Sequence, residues 1–317
     1  MAQSPPPLTV SLNPASSGGR GARMRTRVEA HLDRMGIPFE VLQTERPGHG
    51  SELARRSAVA GAERILAVGG DGTIHEVANG ILRGAPPGSG PALAVVPVGT
   101  GNDFFRMVGA PRKVESALEV LTSGAERRFE VGHARWDDGE AWFVNLLGVG
   151  LDVSVLQQRD RFARLSGLAQ YVAGALSALV RFKPLEIRVE VDGVHRFSGP
   201  ALISAVTVGP SIGGGFLLSP SASAHDGRLD LFVVEPLSAM QVARYLPRVL
   251  RGSHGREAEI HMERITGVRI TGAGTEALNF EMDGEVSVVT TRSLEVTVVP
   301  EALRVIGPAP GQGGEQR

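Results

Sequence analysis

Two glycine-rich segments that each carry a carboxylate are the residues of this sequence best suited to chemistry. The first, Gly69–Thr73, reads GGDGT and follows the short apolar run Ile65–Val68. A glycine turn between a strand and a helix exposes backbone N–H groups at a helix N-terminus, and this arrangement binds phosphate. Asp71, inside the turn, is placed to hold a metal ion on those phosphates. The alternative is an ordinary strand-to-helix turn that needs glycine only for positive φ.

The second segment, Gly99–Asp103, repeats this order after the apolar run Ala92–Val96. Thr100 and Asn102 offer side-chain hydrogen bonds, and Asp103 could reach a metal ion through water. Asp103 could equally be the N-cap of a helix that begins at the next residue, because aspartate is favoured there. Two loops of this composition at adjacent strand ends favour the functional interpretation over the cap.

Three weaker candidates lie elsewhere in the sequence. Asn13–Gly19 is a small-residue loop that could line a nucleotide, although a simple turn is the favoured interpretation when it is taken alone. Asp226 belongs to an Asp-Gly pair, which indicates a tight turn first and an oxygen-rich Mg²⁺ or Ca²⁺ site second. Glu285 follows another Asp-Gly turn, where a lone glutamate is by default solvated but could also serve a transferase as general base.

The elements that must position these residues alternate between strand and helix over roughly the first 130 residues. Such alternation predicts a parallel, doubly wound sheet, in which ligands bind outside the carboxyl ends of the strands. Asn13, Thr44, Gly69–Thr73 and Gly99–Asp103 all follow predicted strands, so we expect four loops to converge on one edge. The predicted strands are Leu8–Leu12, Phe39–Gln43, Ile65–Val68 and Ala92–Val96, and the predicted helices are Arg23–Met35, Ser51–Gly61, Ile74–Leu82 and Val114–Leu121.

From about residue 130 onward, strand-like runs dominate, many of them alternating in polarity and separated by Gly, Asp or Pro. This pattern predicts an antiparallel sandwich or barrel-like domain, interrupted by helices near 152–181 and 238–251. We place the domain boundary near Glu130. The predicted strands are Arg128–Trp136, Ala141–Leu147, Leu185–Val191, Ala201–Val208, Leu229–Val234, Glu257–Met262, Gly267–Thr271, Leu278–Met282 and Leu294–Val299.

Composition excludes several classes of function. The 317 residues carry a formal net charge of −1, so no overall charge attracts nucleic acid or anionic lipid. The absence of cysteine excludes disulfides and thiolate metal sites, and the histidines form no HxH or HxxxH pair. Neither Lys113 nor Lys183 completes a GxxxxGK[ST] pattern, so a Walker-type P-loop is absent.

The longest uncharged apolar stretch, Leu165–Val180, is shorter than the ~18–20 residues that a membrane-spanning helix needs. A helix packed on the second domain is the favoured interpretation. An interfacial membrane element, with arginines on either side of it, is the alternative. The N-terminus lacks the pattern of a signal peptide. The flanking arginines are Arg159, Arg161, Arg164 and Arg181.

Taken together, these residues resemble the diacylglycerol kinase catalytic-domain family, in its bacterial lipid kinase branch. GGDGT alone also occurs in NAD kinases and, loosely, in phosphofructokinases. The longer set GGDGTIHEVANG, PVGTGNDFFR, NLLGVGLD, GGG and DGE is much more specific to the lipid kinases. The resemblance extends over nearly the whole chain, from Asn13 to beyond Glu285.

The resemblance implies an α/β fold followed by an all-β fold. The first is a doubly wound nucleotide-binding domain like that of NAD kinases and phosphofructokinases, and the second is a C-terminal β-sandwich, with ATP in the cleft between them. The ATP-binding domain would occupy residues 1–129, joined by a returning segment 297–307. The lipid-substrate domain would occupy residues 130–296, and residues 308–317 would form a disordered tail.

The resemblance also implies a role for each matching residue. Glu285 would accept the proton of the lipid hydroxyl, and Asp71 would take part in catalysis. At Glu130 this chain departs from the family, which usually has aspartate in a D-x-G context there, so the reach of that carboxylate is altered. The nucleotide contacts would be Asn13, Thr44, Gly69, Gly70, Asp71, Gly72, Thr73, Thr100, Asn102 and Asp103; the catalytic Mg²⁺ network Asp71, Asp103 and Glu130; and the structural Mg²⁺ ligands Ser223, Asp226 and Arg228, the first and last through their carbonyls.

We therefore expect an ATP- and Mg²⁺-dependent lipid kinase that transfers the γ-phosphate of ATP to the hydroxyl of diacylglycerol or a related lipid alcohol. A soluble-substrate kinase of the NAD kinase type and a non-catalytic nucleotide-binding regulator are the alternatives. We expect a cytoplasmic protein in transient peripheral contact with the inner face of the membrane. Its partner is a lipid substrate and not nucleic acid, and a homodimer is left open.

Overall fold

The structure, a computed structural model, describes residues 8–99, 101–158, 173–174, 177–179 and 182–310. The chain divides into Met1–Phe129 with Glu301–Arg317, which we call unit 1, and Glu130–Pro300, which we call unit 2. The predictions for Thr100, for most of the 152–181 helix and for tail residues 311–317 concern residues outside the described ranges. The roles that the sequence assigned to the two domains stay predictions.

Unit 1 contains a parallel sheet whose strands are connected through helices. Its elements are β1 (Leu8–Leu12), α1 (Ser16–Arg34), β2 (Phe39–Gln43), α2 (His49–Val59), β3 (Arg64–Gly69), α3 (Asp71–Gly84), β4 (Ala92–Pro97), α4 (Asp103–Val108) and α5 (Val114–Ser123). The strands lie in the order β2-β1-β3-β4, and each neighbouring pair is parallel. The last strand of the chain, β16 (Ser293–Gly307), places Val305 beside Leu93 of β4, also in parallel.

The core of unit 1 has helices on both faces of this sheet. Val28 of α1 and Leu118 of α5 pack with Val10 and Val68 in one buried cluster. Helices α2 and α3 pack against each other and contact β1 and β3. Because both faces of the central strands are covered, these strands read as continuous apolar runs in the sequence. The predicted doubly wound α/β fold is confirmed.

Unit 2 contains two antiparallel sheets. Its elements are β5 (Ala125–Trp136), β6 (Gly139–Phe143), β7 (Leu146–Gly150), α6 (Leu151–Gln157), β8 (Leu185–Val191), β9 (Val194–Ala201), β10 (Ile203–Thr207), β11 (Leu229–Val234), α7 (Ala239–Arg251), β12 (Ile260–Ile265), β13 (Gly267–Gly272), β14 (Phe280–Met282) and β15 (Glu285–Val286). One sheet has the order β16-β13-β8-β9, with the β5–β6 hairpin paired to β16. The other has the order β12-β11-β10-β7-β14-β15. The predicted antiparallel β-sandwich is confirmed.

One strand prediction was wrong, and one strand was not predicted. The run Ala141–Leu147, predicted as a single strand, contains the end of β6 and the start of β7. The chain breaks between them because of contacts with a residue far away in the sequence. The carboxylate of Asp283 accepts hydrogen bonds from the backbone N–H groups of Val144 and Asn145 at 3.0 and 2.8 Å, so these groups do not enter a ladder. Strand β9 was not predicted, because its side chains are largely exposed and show no hydrophobic alternation.

Candidate active site

Three loops at the carboxyl ends of β1, β3 and β4 are tied together by side-chain hydrogen bonds. Asn13 donates through Nδ2 to Thr73 Oγ1 at 3.1 Å, which joins the loop after β1 to the first turn of α3. Ser16 Oγ lies 3.4 Å from the same hydroxyl, and Ser17 Oγ donates to the carbonyl of Val98 at 2.5 Å. The fourth loop begins at Thr44, a buried residue whose N–H donates to the carbonyl at the end of β1. The expected convergence of loops is therefore present in unit 1.

The start of α1 explains how the first loop reaches the other two. Ser17, Gly18 and Gly19 have φ values of 50°, 67° and 89°, so the chain makes a left-handed bend inside the segment Ser16–Arg34. A simple small-residue turn before a helix at Arg23 was expected. The bend directs the hydroxyl of Ser17 to the β4 loop, a contact that has no local signature in the sequence.

The two glycine-rich segments touch each other through their backbones at Gly70 and Gly99. A Cβ atom on Gly99 would lie 2.8 Å from the Cα of Gly70, and one on Gly70 would lie 3.2 Å from the Cα of Gly99. Gly70 has φ −98°, outside the left-handed region. Positive φ therefore does not explain this glycine, and close approach of two backbones does.

Helix α3 begins at Asp71, immediately after the glycine contact, so its first-turn N–H groups lie at the end of β3. The absence of a side chain at Gly69 is also required, because a Cβ there would fall 2.2 Å from Thr73 Oγ1. Gly72 is the second residue of this helix. Bare backbone, a helix N-terminus and two hydroxyl-bearing side chains at one sheet edge are the elements of a phosphate-binding site.

Asp71 and Asp103 lie on either side of Gly101. A Cβ on Gly101 would lie 2.9 Å from Asp71 Oδ2 and 3.4 Å from Asp103 Oδ2, so both oxygens face the same glycine. Asp71 Oδ1 accepts from the backbone N–H of Phe104 at 3.3 Å, and Asp103 Oδ1 accepts from Arg106 Nη1 at 2.8 Å. Two carboxylates are thus oriented toward one point at the loop.

The alternative interpretation of Asp103 as an N-cap is wrong. Asp103 is the first residue of α4, and the N-cap position is occupied by Asn102 in the left-handed conformation, with φ 54°. Asn102 closes its own loop by donating from Nδ2 to the carbonyl of Gly99 at 2.8 Å. The carboxylate that does accept a first-turn N–H of α4 belongs to Asp71, from the neighbouring loop.

Glu76 is a positioning residue that the sequence analysis missed. It lies on α3, and its two carboxylate oxygens accept the backbone N–H groups of Gly48 and Gly50 at 2.6 and 2.8 Å. These groups belong to the first turn of α2, where orphan N–H donors and the helix dipole both favour an anion. Glu76 thereby ties the segment that follows Thr44 to the glycine-loop helix.

In unit 2, Asp283 and Glu285 flank a tight turn between β14 and β15. Asp283 has φ 54° and is buried, and its carboxylate accepts three backbone N–H groups, from Val144, Asn145 and Leu146. Glu285 is exposed and starts β15, opposite Met282. The aspartate of the DGE motif is therefore structural, whereas the glutamate presents its carboxylate to the surface of unit 2.

The turn that contains Asp226 is held by nitrogen donors. The side chain of Arg264 binds Asp226 Oδ2, and the backbone N–H of Arg228 donates to Asp226 Oδ1 at 3.1 Å. Glu130 joins the same turn, since its Oε2 accepts the N–H of Gly227 at 2.6 Å. Burial raises the pKa of Glu130 to about 7, the charge of Asp226 adds to that increase, and Gly227 and Arg264 oppose it.

These contacts bear on the predicted metal ligands. Both oxygens of Asp226 bind nitrogen donors, and Ser223 in the same turn is partly buried, so the structural Mg²⁺ expected here stays a prediction. Across the described part of the chain, no group of three or more acidic or histidine side chains is close enough to hold a metal ion. The pair Asp71 and Asp103, facing Gly101, offers carboxylate oxygens, the ligands that Mg²⁺ prefers.

Unit 2 also contains an apolar cavity of about 140 Å³. It lies among β7, β10, β11 and the inner side of α7, and Asp152 at the start of α6 is part of its wall. Leu179, from the apolar stretch 165–180, lines the cavity too, and its neighbour Ala178 is buried in the same cluster. Further lining side chains are Leu151, Ala205, Phe216, Phe232, Tyr245 and Val249.

The positions of Ala178 and Leu179 favour the packed-helix interpretation of the apolar stretch. Most of that stretch lies outside the described residues, as do the arginines that flank it. No helix within the described ranges has the length and apolar character needed to cross a membrane.

A parallel α/β unit with paired glycine loops and carboxylates, followed by an antiparallel sandwich, defines the class of nucleotide-dependent phosphotransferases with an NAD kinase-like fold. Residues 7–134 match the family described as diacylglycerol kinase catalytic domain. Residues 145–307 match the YegS C-terminal NAD kinase beta sandwich-like domain. The chain belongs to the diacylglycerol kinase catalytic-domain family, in its bacterial branch, and it is an enzyme of the lipid kinase type that uses ATP.

Individual relatives agree with this placement. A diacylglycerol kinase of Bacillus subtilis (strain 168) is 29% identical over 275 residues, which cover 86% of this chain and 88% of that protein. A diacylglycerol kinase of Mycobacterium tuberculosis (strain ATCC 25618 / H37Rv) is 26% identical over 306 residues, 96% of each chain.

Solved structures support the fold. A diacylglycerol kinase from Bacillus anthracis superposes with a TM-score of 0.75 at 24% identity, over 95% of this chain and 96% of that one. An NAD kinase from Archaeoglobus fulgidus in complex with ATP superposes with a TM-score of 0.55 at 15% identity, over 94% of this chain and 93% of that one.

Proposed function

We propose that this lipid kinase transfers the γ-phosphate of ATP to the hydroxyl of diacylglycerol or a related lipid alcohol, with Glu285 as general base. The observation that carries the proposal is the junction of the two glycine loops. There, bare backbone at Gly70 and Gly99, the N-terminus of α3 and two carboxylates facing Gly101 meet at one sheet edge. This is a site for a polyphosphate and its cation.

The nucleotide half of the reaction is assigned to unit 1. The first-turn N–H groups of α3 bind phosphate oxygens, and Asn13 and Ser16 hold the hydroxyl of Thr73 in place. Asp71 and Asp103 would hold Mg²⁺, and the ion would supply positive charge that neutralises the phosphates. Thr44, Thr100 and Asn102 remain proposed nucleotide contacts. Asp71 has a second role, because its bond to Phe104 fixes α4.

Glu285 is proposed to accept the proton of the lipid hydroxyl. Glu285→Gln keeps the shape of the side chain but removes its basicity. We expect kcat to fall by roughly 10²–10⁴, the usual contribution of a general base, with ATP affinity unchanged, as measured by a labelled-ATP assay and by calorimetry. Glu276→Gln, which alters an exposed glutamate in another turn of unit 2, is the matched control. Near-wild-type turnover of Glu285→Gln would remove Glu285 from this role.

The apolar cavity of unit 2 supports a lipid acceptor, since a cavity lined by Leu, Ile, Phe and Val excludes water and accommodates hydrocarbon. Ala205 is buried on its wall. Ala205→Leu fills part of the volume, so we expect a higher KM for the lipid and an unchanged KM for ATP. Val206→Leu, at a neighbouring buried position that does not line the cavity, controls for core overpacking. Equal effects of the two variants on the lipid KM would contradict the assignment.

The acceptor class is tested by ADP release across a panel of lipids, with NAD as a separate arm. Stimulation by diacylglycerol or another lipid alcohol supports the proposal. Stimulation by NAD alone would favour the soluble-substrate alternative, and ATP binding without turnover would favour a regulator.

We also propose transient peripheral contact of a cytoplasmic enzyme with the inner face of the membrane, tested by co-sedimentation with vesicles of phosphatidylglycerol. Sedimentation analysis of the same protein tests for a homodimer.

A further inference from the structure

Two buried carboxylates in unit 2 have no part in the reaction described above. Asp152 and Glu281 are 4% and 3% exposed, respectively. A Cβ on Gly148 of β7 would fall 1.6 Å from Asp152 Oδ2 and 3.0 Å from Glu281 Oε1. Both carboxylates therefore occupy the space over one bare glycine, and they lie side by side because residue 148 has no side chain.

Two carboxylates this close and this buried cannot both be ionised at neutral pH. Burial raises the pKa of Asp152 to about 7. Burial, followed by the neighbouring charge of Asp152, raises the pKa of Glu281 well above its usual range, and the charges of Asp283 and Glu285 act in the same direction. The N–H of Gly284 opposes this increase. The pair therefore keeps at least one proton at neutral pH.

The pair connects the apolar cavity with the turn that carries Glu285. Asp152 lines the cavity, and backbone N–H groups at Val153 and at Asp152 itself partly offset the effect of burial on its pKa. Glu281 Oε2 accepts the backbone N–H of Gly284 at 2.8 Å, one residue before Glu285. Asp283 and Gly284 have φ values of 54° and 89°, so two adjacent residues of this turn are in the left-handed region. The hydrogen bond to Glu281 holds that conformation from within.

We propose that Asp152 and Glu281 share a proton and thereby position the turn that presents Glu285, an inference that rests on the proposed role of Glu285 as the base. While the proton is shared, Glu281 stays in its buried place and accepts Gly284. When that proton leaves to solvent at alkaline pH, a second charge is created in apolar surroundings. Glu281 then moves toward water, and the turn loses its internal acceptor. Both acids act on Glu285 through the turn, as positioning residues.

The first test is the pH dependence of kcat at saturating ATP and lipid, between about pH 6 and about pH 9. For the wild type we expect a loss of kcat on the alkaline side that approaches about tenfold per pH unit, as one proton-loss step requires. Glu281→Gln still accepts the N–H of Gly284 but cannot ionise, so it should remove the alkaline loss and retain neutral activity. Asp152→Asn should also remove the alkaline loss, whatever its effect on neutral activity, because Asp152 lies on the wall of the proposed lipid cavity. An unchanged alkaline loss in both variants would overturn the proposal.

A third variant separates positioning from charge. Glu281→Leu removes the acceptor of Gly284 altogether, and we expect kcat to fall about tenfold or more at every pH, because a catalytic group displaced by about 1 Å can lose up to about 10²-fold in rate. KM for ATP should not change. Rescue of neutral activity by Gln but not by Leu supports the hydrogen bond as the cause, and equal activity of the Gln and Leu variants would contradict it.

The second test does not depend on activity. Because the folded state binds the shared proton more tightly than the unfolded state, wild-type stability should fall as pH rises from about 4 to about 7. Thermal unfolding should show a smaller fall in Glu281→Gln and Asp152→Asn. Identical pH dependence in all three proteins would refute the shared proton. The two proposals can also fail separately. If the variants change the pH dependence of unfolding as expected but the wild type phosphorylates no lipid, the shared proton stands. The proposed function is then refuted, and the positioning role with it.

Discussion

At the scale of single residues, the candidate site depends on side chains that are missing as much as on those present. Gly70 and Gly99 allow two backbones to touch, Gly101 leaves room between two carboxylates, and Gly148 leaves room for a buried pair. Glycine is usually explained by positive φ. Here the informative property is the volume that a Cβ would occupy.

Gly101→Ala tests this interpretation at the proposed cation site. The new Cβ would lie 2.9 Å from Asp71 Oδ2, a distance at which the carboxylate must move. We expect weaker Mg²⁺ dependence and kcat/KM for ATP reduced by about tenfold or more, as for other displaced positioning groups, with thermal stability nearly unchanged. Gly255→Ala, where the new Cβ would meet only the flexible side chain of Met262, is the control. Activity equal to that of the control would show that the carboxylates do not need this space.

At the scale of elements, acidic side chains from one element satisfy the exposed N–H groups of another. Asp71 of α3 accepts from the first turn of α4, Glu76 of α3 from the first turn of α2, and Asp283 from the segment that separates β6 from β7. The three contacts fix loop positions that no local pattern specifies. Helix α3 therefore organises two of the loops around it.

Glu76→Ala removes both acceptors at the N-terminus of α2. We expect the free energy of unfolding to fall by about 1–3 kcal/mol, the range for hydrogen bonds to a charged group, as measured by urea denaturation. Glu52→Ala removes an exposed ion pair with Arg46 in the first turn of the same helix and serves as the control, because exposed ion pairs contribute little. If the free energy of unfolding fell by the same amount in both variants, the hydrogen bonds of Glu76 would contribute no more than an exposed ion pair does.

The sequence predicted elements better than it predicted contacts. The GGDGT segment was correctly predicted as a strand, a turn and a helix, since β3 and α3 have strong hydrophobic patterns of different period. Its convergence with Gly99–Asp103 followed from parallel topology. Asp283 and Glu76 were not singled out, because their partners lie 137 to 139 and 26 to 28 residues away in the chain. Only the folded chain selects such partners.

At the scale of the whole molecule, the described acids whose pKa is raised lie in unit 2, whereas acids whose pKa is lowered occur in both units. In unit 1, hydrogen bonds with arginine lower the pKa of Glu115 to about 2 and also lower that of Glu126. In unit 2, burial raises the pKa of Glu130 and of Asp152 to about 7. An acid whose pKa is lower in the folded state than in the unfolded state stabilises the folded protein above about pH 4. An acid whose pKa is higher in the folded state stabilises the folded protein at low pH, and that contribution is lost as pH rises toward about 7.

Unit 2 should therefore unfold at a lower temperature when the pH is raised from about 5 to about 8, whereas unit 1 should not. Glu130→Gln removes one of the responsible groups and keeps an acceptor for Gly227. We expect its unfolding temperature to depend less on pH than that of the wild type, by a few degrees over this range, as followed by scanning calorimetry. Glu276→Gln, at an exposed position of unit 2, provides the control. If the unfolding temperature of Glu130→Gln depended on pH as steeply as that of the wild type, Glu130 would not be one of the responsible groups.

The last strand has a consequence for how the protein is made. Strand β4 has β3 on one side and Val305 of β16 on the other, and residues near the C-terminus also bind residues 88 and 126. During synthesis, the N-terminal strands leave the ribosome long before residues 301–307 exist. Until those residues emerge, the apolar strand Ala92–Pro97 is an open edge, the kind of surface that captures other unfinished chains. The first unit to be translated is thus completed only by late residues, and nascent chains of this enzyme should need protection by chaperones from the emergence of Ala92–Pro97 until residues 301–307 follow.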